Sequence, residues 1–594
     1  MLDFIIKNGT VIDGTGADAR RADVGVCGGR IVLVGDLHDA QAAQVIDAGG
    51  RVVAPGFIDS HSHADISVIR TPDLESLTAQ GITTVCTGHC GMGLAPLNRH
   101  YMGMFNDEEA LNAIFPPLFA GDCPGRVPVV ELEPLREAYL AQYGIPLDWS
   151  SFDEFLAHIE HSGVGPNLVP FVPHGPLRIA VMGVDFRRAA TDREVSEMCS
   201  LLRQSMDAGA HGLSFGFDYQ PGDEADKNEL LALMRVVAEY DGIVTAHAQY
   251  SPRRGSRIIE GFQPIDGYRE MLELGLESGA RVHISHLRPG YRGMPAPELT
   301  DESCRSVMRL FEAYRARGVR AGWDVLPHYA EAGHYAPMLV SQLLPYVEQC
   351  GSLTRFQAML HLPEYRLRLK YELENGLNPG FHSPTGLNAT APGWHSVYEI
   401  TQCALPGCTG RTIGELAQKR GQPPLDTLLD LLTDDVRVCV RIRVPLKSPL
   451  GLDCYASYPD AAFGLDVGGC NFDCQRETRP DMPPRYDGAY SDFCGMVMLL
   501  TCGVIGRRED IIAAITGRTA RNYGLLDRGQ IAEGMRADLV ILDWDALDPG
   551  IDYITPNRPP RGVDMVFVNG RLTAEKGRML NPRAGMVVRR RQIK

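Results

Sequence analysis

Two histidines one residue apart, His61 and His63, close an apolar run in "GFIDSHSHAD". Successive side chains of a strand point to opposite faces, so Asp59, His61 and His63 share one face. A lone inward histidine is ordinarily a packed core residue, whereas a pair at this spacing on a strand end is a metal-ligand candidate. Downstream, "TTVCTGHCGMG" runs a second strand into a glycine turn and carries Cys90. By itself Cys90 reads as a buried thiol. His247 in "VTAHAQ" and His286 in "VHISHLR" stand at further strand ends. One thiolate and two imidazoles give three N/S ligands with a fourth position open, the pattern of a catalytic zinc site rather than a closed structural one. His283 lies three residues before His286, hence on the opposite face, so only one can enter the interior; the expectation is His286, because it ends the strand. His89 should diverge from Cys90 on an extended chain. A hydrolytic zinc site also needs a proton carrier. Asp466 in "FGLDVGG" leaves an apolar strand directly into glycine and suits that task, with turn capping as its plainer alternative. Asp59, Asp324 and Asp453 have plainer structural jobs.

These residues need elements to hold them. Between about Glu194 and Pro327 a helix, a turn and a short strand recur, as in "ELLALMRVVAEYDGIVTAHAQ", whose apolar residues fall at three- and four-residue spacing before a glycine leads into the strand. His211, His247, His286 and Asp324 follow one another at steps of 36, 39 and 38 residues, and the expectation is that each marks a strand end. That cadence predicts βα units, a parallel sheet and chemistry at the strand C-termini: a distorted (β/α)8 TIM barrel. A doubly wound open sheet is the alternative, but no glycine-rich dinucleotide loop follows a first strand, and "GLDVGG" lacks the spacing. Both chain ends read as short strands between glycine turns, which predicts a small β-sandwich built from the two ends. The expected division is 1–54 and 528–594 for the sandwich and 55–527 for the barrel. Insertions near 98–164 and 329–447, rich in Pro, Gly, Tyr and Trp, would lie over the barrel mouth and shape access.

Composition narrows the partners. The 594 residues are 44% hydrophobic and 22% charged, ordinary for a globular protein, and no stretch reaches the roughly 18 apolar residues of a membrane span. The opening "MLDFIIKNGTVIDG" has no secretory pattern, so the expected compartment is the cytoplasm, with the fifteen cysteines mostly reduced. A formal charge of -16 argues against nucleic-acid binding. The run Arg589-Arg590-Arg591 reads as a solvated tail. Oligomerisation is left open.

The segments "PGFIDSHSHAD", "GITTVCTGHCGMGLAP", "VTAHAQ", "VHISHLR", "LLDRGQIAEGMRADLVILD" and "RGVDMVFVNGR" together resemble the amidohydrolase superfamily, and more narrowly its D-aminoacylase branch, the N-acyl-D-amino acid deacylases. The likeness runs through most of the chain. It implies a barrel plus β-sandwich with one tightly held Zn2+ on Cys90, His247 and His286, and a second, weaker divalent position at His61 and His63. It also implies Asp466 as general acid/base, Tyr219 as a substrate contact, and Arg288, where the family usually carries lysine, near a substrate carboxylate. Three departures stand out: Leu465 in place of a serine before Asp466, His89 in place of an asparagine before Cys90, and "DVLPHYA" in place of a tyrosine-rich strand. The implied activity is hydrolysis of a carbon-nitrogen amide bond in a small N-acyl carboxylate. Alternatives are a cyclic-amide (hydantoinase- or dihydroorotase-like) or N-formyl amide hydrolase and a non-catalytic scaffold; the scaffold would have lost ligands that are all present.

Overall fold

The computed structural model describes residues 1–102, 129–250, 253–254, 257–291, 297–327, 334–335, 343–374, 394–396, 398–442, 452–473, 491–550 and 557–590. Eight parallel strands form its centre: β1 (Phe57–Ser62), β2 (Ile82–Thr87), β3 (Asn167–Pro170, continued by Val172–Pro173), β4 (Gly212–Gly216), β5 (Ile243–His247), β6 (Arg281–Ile284), β7 (Ala321–Val325) and β8 (Ala461–Phe463). Each pairs with the next in parallel register. The ring closes where Ser62 bridges Val467, the Asp466 amide donates to the His61 carbonyl (2.9 Å) and the His63 amide donates to the Val467 carbonyl (2.8 Å). This is a (β/α)8 barrel, distorted where β1 slips register between Phe57/Ile58 and between Asp59/Ser62.

The helices form where the sequence periodicity places them. In the helix Asp192–Asp207, Thr191 and Glu194 make a reciprocal capping box, and Val195, Met198, Cys199, Leu202 and Met206 bury one face. Pro264 opens the helix Pro264–Ser278, and Gly279 ends it in the left-handed conformation. Alternate residues of the strands point outward into this layer, as Leu213, Phe215, Val244 and Ala246 do. Inside, Ile58, Cys86, Val169, Phe171 and Ile243 fill the lower barrel around Tyr523.

Both chain ends share one nine-stranded sheet, in which Leu2–Val11 and Val52–Pro55 lie next to Leu539–Leu542 and Val563–Val568. It buries its own cluster, including Ile6, Val24, Ile541 and Phe567. A buried polar joint ties this sheet to β3. Arg528 (2.8 Å) and Asn167 (3.2 Å) both donate to Asp538 Oδ2, and Asn569 donates to Asn167 Oδ1 (2.7 Å). Residues described within 329–447 close around a separate core that includes Leu353, Phe356, Tyr398, Ile413 and Leu432.

Two sequence expectations are corrected. His211 does not end a strand: it precedes β4 and donates to the Val588 carbonyl (2.8 Å), away from the other polar residues of the series. The strand it opens ends at Gly216, followed by Asp218 and Tyr219. The arginine run is not a solvated tail, because Arg589 pairs with Asp153 and Glu160 while Arg590 donates to the Tyr240 and Asp241 carbonyls. Arg591 lies outside the described residues. Among the described residues, no helix is long and apolar enough to cross a membrane.

Candidate metal centre

Cys90, His286 and Asp466 each sit just past a strand end with positive φ, at 57°, 37° and 58°. Non-glycine residues occupy this left-handed region at a cost, and they persist there only where neighbours over-determine the turn. The neighbours are visible. Beside Cys90, the Ser214 hydroxyl donates to the Gly88 carbonyl and accepts from the Gly91 amide (2.9 Å), and the Tyr219 hydroxyl donates to the Cys90 carbonyl (2.7 Å). Gly216 allows this approach, since a Cβ there would lie 2.2 Å from the Cys90 carbonyl oxygen. At the opposite side of the ring, Gly464 lets β8 approach β1, where an added Cβ would lie 2.3 Å from His61 Cβ.

These turns bring two donor groups together. Cys90, His247 and His286 form one, and His61, His63, Cys90 and Asp466 the other; within each, one ligand atom per residue lies within 4.8 Å of the rest. The Cys90 sulfur belongs to both. It stands 3.1 Å from His61 Nε2 and 3.7 Å from His286 Nε2. Asp466 Oδ1 lies 3.1 Å from both His61 Nε2 and His63 Nε2. The His61 side chain is wholly buried, whereas those of His63 and Asp466 retain 16% and 21% exposure, so the second group faces the open side.

The electrostatics are those of a cation site. Burial opposes charge on Cys90, but the imidazoles of His61, His247 and His286 outweigh it and hold the thiol well below its ordinary range, as thiolate. Burial likewise works against ionised Asp466, and His61 with His63 overcomes it, holding the carboxyl well below the usual range. His63 rises to about 10, against its burial, through Asp466 and Cys90. Thiolate, imidazole nitrogen and carboxylate converging at one place match the borderline-soft ligand set of zinc.

A second layer holds the donors. Asp324, fully buried, accepts from His61 Nδ1 (3.2 Å), His283 Nε2 (3.0 Å) and the His286 amide (2.7 Å). The Tyr250 hydroxyl donates to the Ser285 carbonyl (2.8 Å) and lies 3.0 Å from His286 Nδ1. Asp218 Oδ2 lies 3.3 Å from His247 Nε2. Arg288 is 5% exposed, with its guanidinium 5.1 Å from the centre of the Tyr250 ring.

All the sequence candidates except the outer two, Tyr219 and Arg288, therefore fall in the two donor groups. Tyr219 touches the centre through the Cys90 carbonyl and its ring lies 5.1 Å from that of His247. Two expectations about direction fail. His283 also points inward, to Asp324 and the Tyr523 hydroxyl (3.3 Å), because strand alternation stops before His286, which has already entered its turn. His89 does not leave the region, since Cys90 is not extended; its ring stacks on His61 at 4.5 Å, though it joins neither donor group. From the sequence Asp324 is expected to do a plain structural job, and Asp218 and Tyr250 give no signal beyond being polar residues near a strand end. The βα cadence did mark Asp324, as the fourth member of the His211–Asp324 series.

Comparison with known proteins adds the following. The sequence matches the Amidohydrolase family over residues 44–271 and 506–574. It is 28% identical over 600 residues to D-aminoacylase of Alcaligenes xylosoxydans xylosoxydans, covering 99% of this chain and 98% of that one. To N-acyl-D-aspartate deacylase of the same organism it is also 28% identical, over 99% of this chain and 95% of the relative. The solved structure of N-acyl-D-glutamate deacylase from Bordetella bronchiseptica, complexed with zinc and a phosphonate inhibitor, shares the fold with a TM-score of 0.64 at 24% identity, over 99% of each chain.

Proposed function

The chain belongs to the amidohydrolase family, and from that premise we propose that it is a zinc-dependent hydrolase that deacylates N-acyl-D-amino acids or closely similar N-acyl carboxylates. One observation carries the reading: a buried cysteine sulfur shared by two donor groups at the C-terminal ends of the barrel strands, with a partly exposed carboxylate, Asp466, on the open side. The names of the similar proteins, D-aminoacylase and N-acyl-D-aspartate deacylase, support the substrate class.

In this proposal Cys90, His247 and His286 would hold the tight zinc, and His61 and His63 would offer a weaker second position. Zinc held there would supply Lewis acidity for the carbonyl and a lowered pKa, towards ~7, for water. Asp466, ionised at neutral pH, takes the proton of the attacking water and returns it to the departing nitrogen, so the amide C–N bond breaks as a C–O bond forms. Arg288 pairs its planar guanidinium with the substrate carboxylate. Tyr219 contacts the substrate beside Cys90. The barrel of residues 55–527 carries the reaction, the end segments 1–54 and 528–594 flank it, and the insertions near 98–164 and 329–447 shape access.

Asp466→Asn tests the reading. Turnover of N-acyl-D-amino acids should fall by ~10² to 10⁴, the usual contribution of a positioned acid-base group, with zinc content unchanged on the same preparation. Hydantoins and N-formylamines assayed alongside should react poorly with the wild type. Near-normal turnover by the variant would move the proton to another carboxylate, and faster turnover of hydantoins would replace the substrate class.

A further inference from the structure

Three donors converge on one buried carboxylate that no ligand group contains. Asp324 is 0% exposed, and its two oxygens accept from His61 Nδ1, His283 Nε2 and the His286 backbone amide. From these contacts we infer that Asp324 is the positioning residue that ties the two donor groups together: it fixes His61 by its ring edge and His286 by its backbone. The inference rests on the metal-centre reading above.

Consider His61 first. An ionised carboxylate only accepts, so the nitrogen facing it must carry the hydrogen. With Nδ1–H directed at Asp324, Nε2 is the ring nitrogen turned toward Cys90 and Asp466, each 3.1 Å away, and the one left to ligate a metal bound among them. The faces of the ring are covered already, by His89 at 4.5 Å and His286 at 5.1 Å between ring centres. Stacking limits tilt but does not choose the tautomer or the ring flip. Asp324 does both.

His286 is controlled differently. Its φ of 37° is unfavourable, and its amide is held by Asp324 Oδ1 at 2.7 Å. That turn aims Nε2 at the Cys90 sulfur, 3.7 Å away, while Tyr250 meets Nδ1. Asp324 thus reaches the first donor group without touching any of its ligand atoms. His283 fills the remaining oxygen and anchors the carboxylate from the barrel interior. A carboxylate that merely packed the interior could be replaced by its near-isostere asparagine. One that sets tautomers could not, since the amide puts a donor where an acceptor is required.

The test is metal affinity rather than turnover. Metal-free wild type, Asp324→Asn and His61→Ala are titrated with cobalt(II), following the thiolate-to-cobalt absorption and the visible bands that report coordination geometry. Asp324→Asn should weaken cobalt binding at both groups by about 10- to 100-fold, the usual range for a partner behind a metal ligand. His61→Ala should weaken only the binding that involves His61 and His63. Wild-type affinities in Asp324→Asn, or a loss confined to what His61→Ala also loses, would overturn the inference while leaving the proposed function intact. A wild type that takes up no cobalt would overturn both. Should circular dichroism show the asparagine variant unfolded, ring-15N-histidine spectra of the zinc-loaded wild type decide: His61 protonated at Nδ1 alone supports the assignment, and protonated at Nε2 with Nδ1 bare refutes it.

Discussion

Gly464→Ala perturbs the site through β8 without touching any donor. The added Cβ would sit 2.3 Å from His61 Cβ, 3.0 Å from its backbone nitrogen and 3.1 Å from its Cα, whereas ordinary contact begins at 3.4 Å. All three obstacles are backbone or Cβ atoms, so no rotamer change relieves them and β8 must retreat from β1 by about 1 Å. Asp466 lies two residues further on and must go with it. Its Oδ1 stands 3.1 Å from both His61 Nε2 and His63 Nε2, and a retreat of that size takes it out of hydrogen-bonding reach of each. A misplacement of about 1 Å costs on the order of 100-fold in rate, near 3 kcal/mol of barrier, and the overpacking itself costs ~1 to 3 kcal/mol of stability. The assay is kcat/KM of the zinc-loaded variant on an N-acyl-D-amino acid, with zinc content and a thermal melt on the same sample. Zinc should be retained, because Cys90 and His286 follow β2 and β6 and His247 ends β5, all away from the β8–β1 contact. Gly506→Ala, where the new Cβ meets nothing within 4 Å, is the control and should behave as wild type. A folded Gly464→Ala enzyme with wild-type kcat/KM would refute the claim that strand spacing sets the position of Asp466.

Three further outcomes are expected. Arg288→Ala should lower kcat/KM by ~1.5 to 3 kcal/mol for free N-acyl acids and have little effect on their esters; equal losses for acid and ester would remove the carboxylate contact. Asp538→Ala takes from the Arg528 guanidinium, 2% exposed, its buried partner, leaving among the described residues only the partly exposed Asp527 at 3.4 Å, and should cost about 3 kcal/mol in urea unfolding, whereas a loss below ~1 kcal/mol would show the joint to be dispensable. Burial lowers His211 to about 4 from an ordinary 6.5, so as pH falls through 6.5 the unfolded chain takes up a proton that the folded chain refuses until about 4. Stability attached to this group is complete above pH 6.5 and is lost across that window, by about 2 kcal/mol at pH 5. His211→Gln should lose less stability than wild type between pH 7.5 and pH 5, and an unchanged difference would refute the assignment.

The barrel was legible because its helices and strands obey periodic rules. Val195, Met198, Leu202 and Met206 fall on one helical face in the sequence and are buried on one face in the structure. The donor types were legible as well, since Cys90, His247, His286 and the His61–His63 pair are conspicuous as residues. What could not be read was anything that depends on contacts between distant strands. Asp324 looks like one more strand residue of β7 until the barrel closes and brings β1 and β6 to it, when it accepts from His61, His283 and the His286 amide. Arg589 and Arg590 look like a tail until their partners, Asp153, Glu160 and two backbone carbonyls, arrive from some 350 to 440 residues away.

The errors of direction have one physical origin. Alternation assigns faces only while the chain is extended, and the chemistry of a (β/α)8 barrel lies where extension has just ended. Cys90, His286 and Asp466 all have left-handed backbones, so His89 and His283 cannot be placed by counting residues from them. The same turns explain why the site needs a supporting layer. A residue at φ 37° or 57° returns to a commoner conformation unless something holds it, and the holders here are Asp324 on the His286 amide, Tyr219 on the Cys90 carbonyl and the His61 carbonyl on the Asp466 amide. Each clamp is a hydrogen bond to backbone, which fixes the turn without consuming a donor atom of the centre. The strain at the strand ends and the polar layer beneath it are therefore two aspects of one device. It lets thiolate, imidazoles and carboxylate face one another at 3.1 to 3.7 Å from strands that no local sequence pattern brings together.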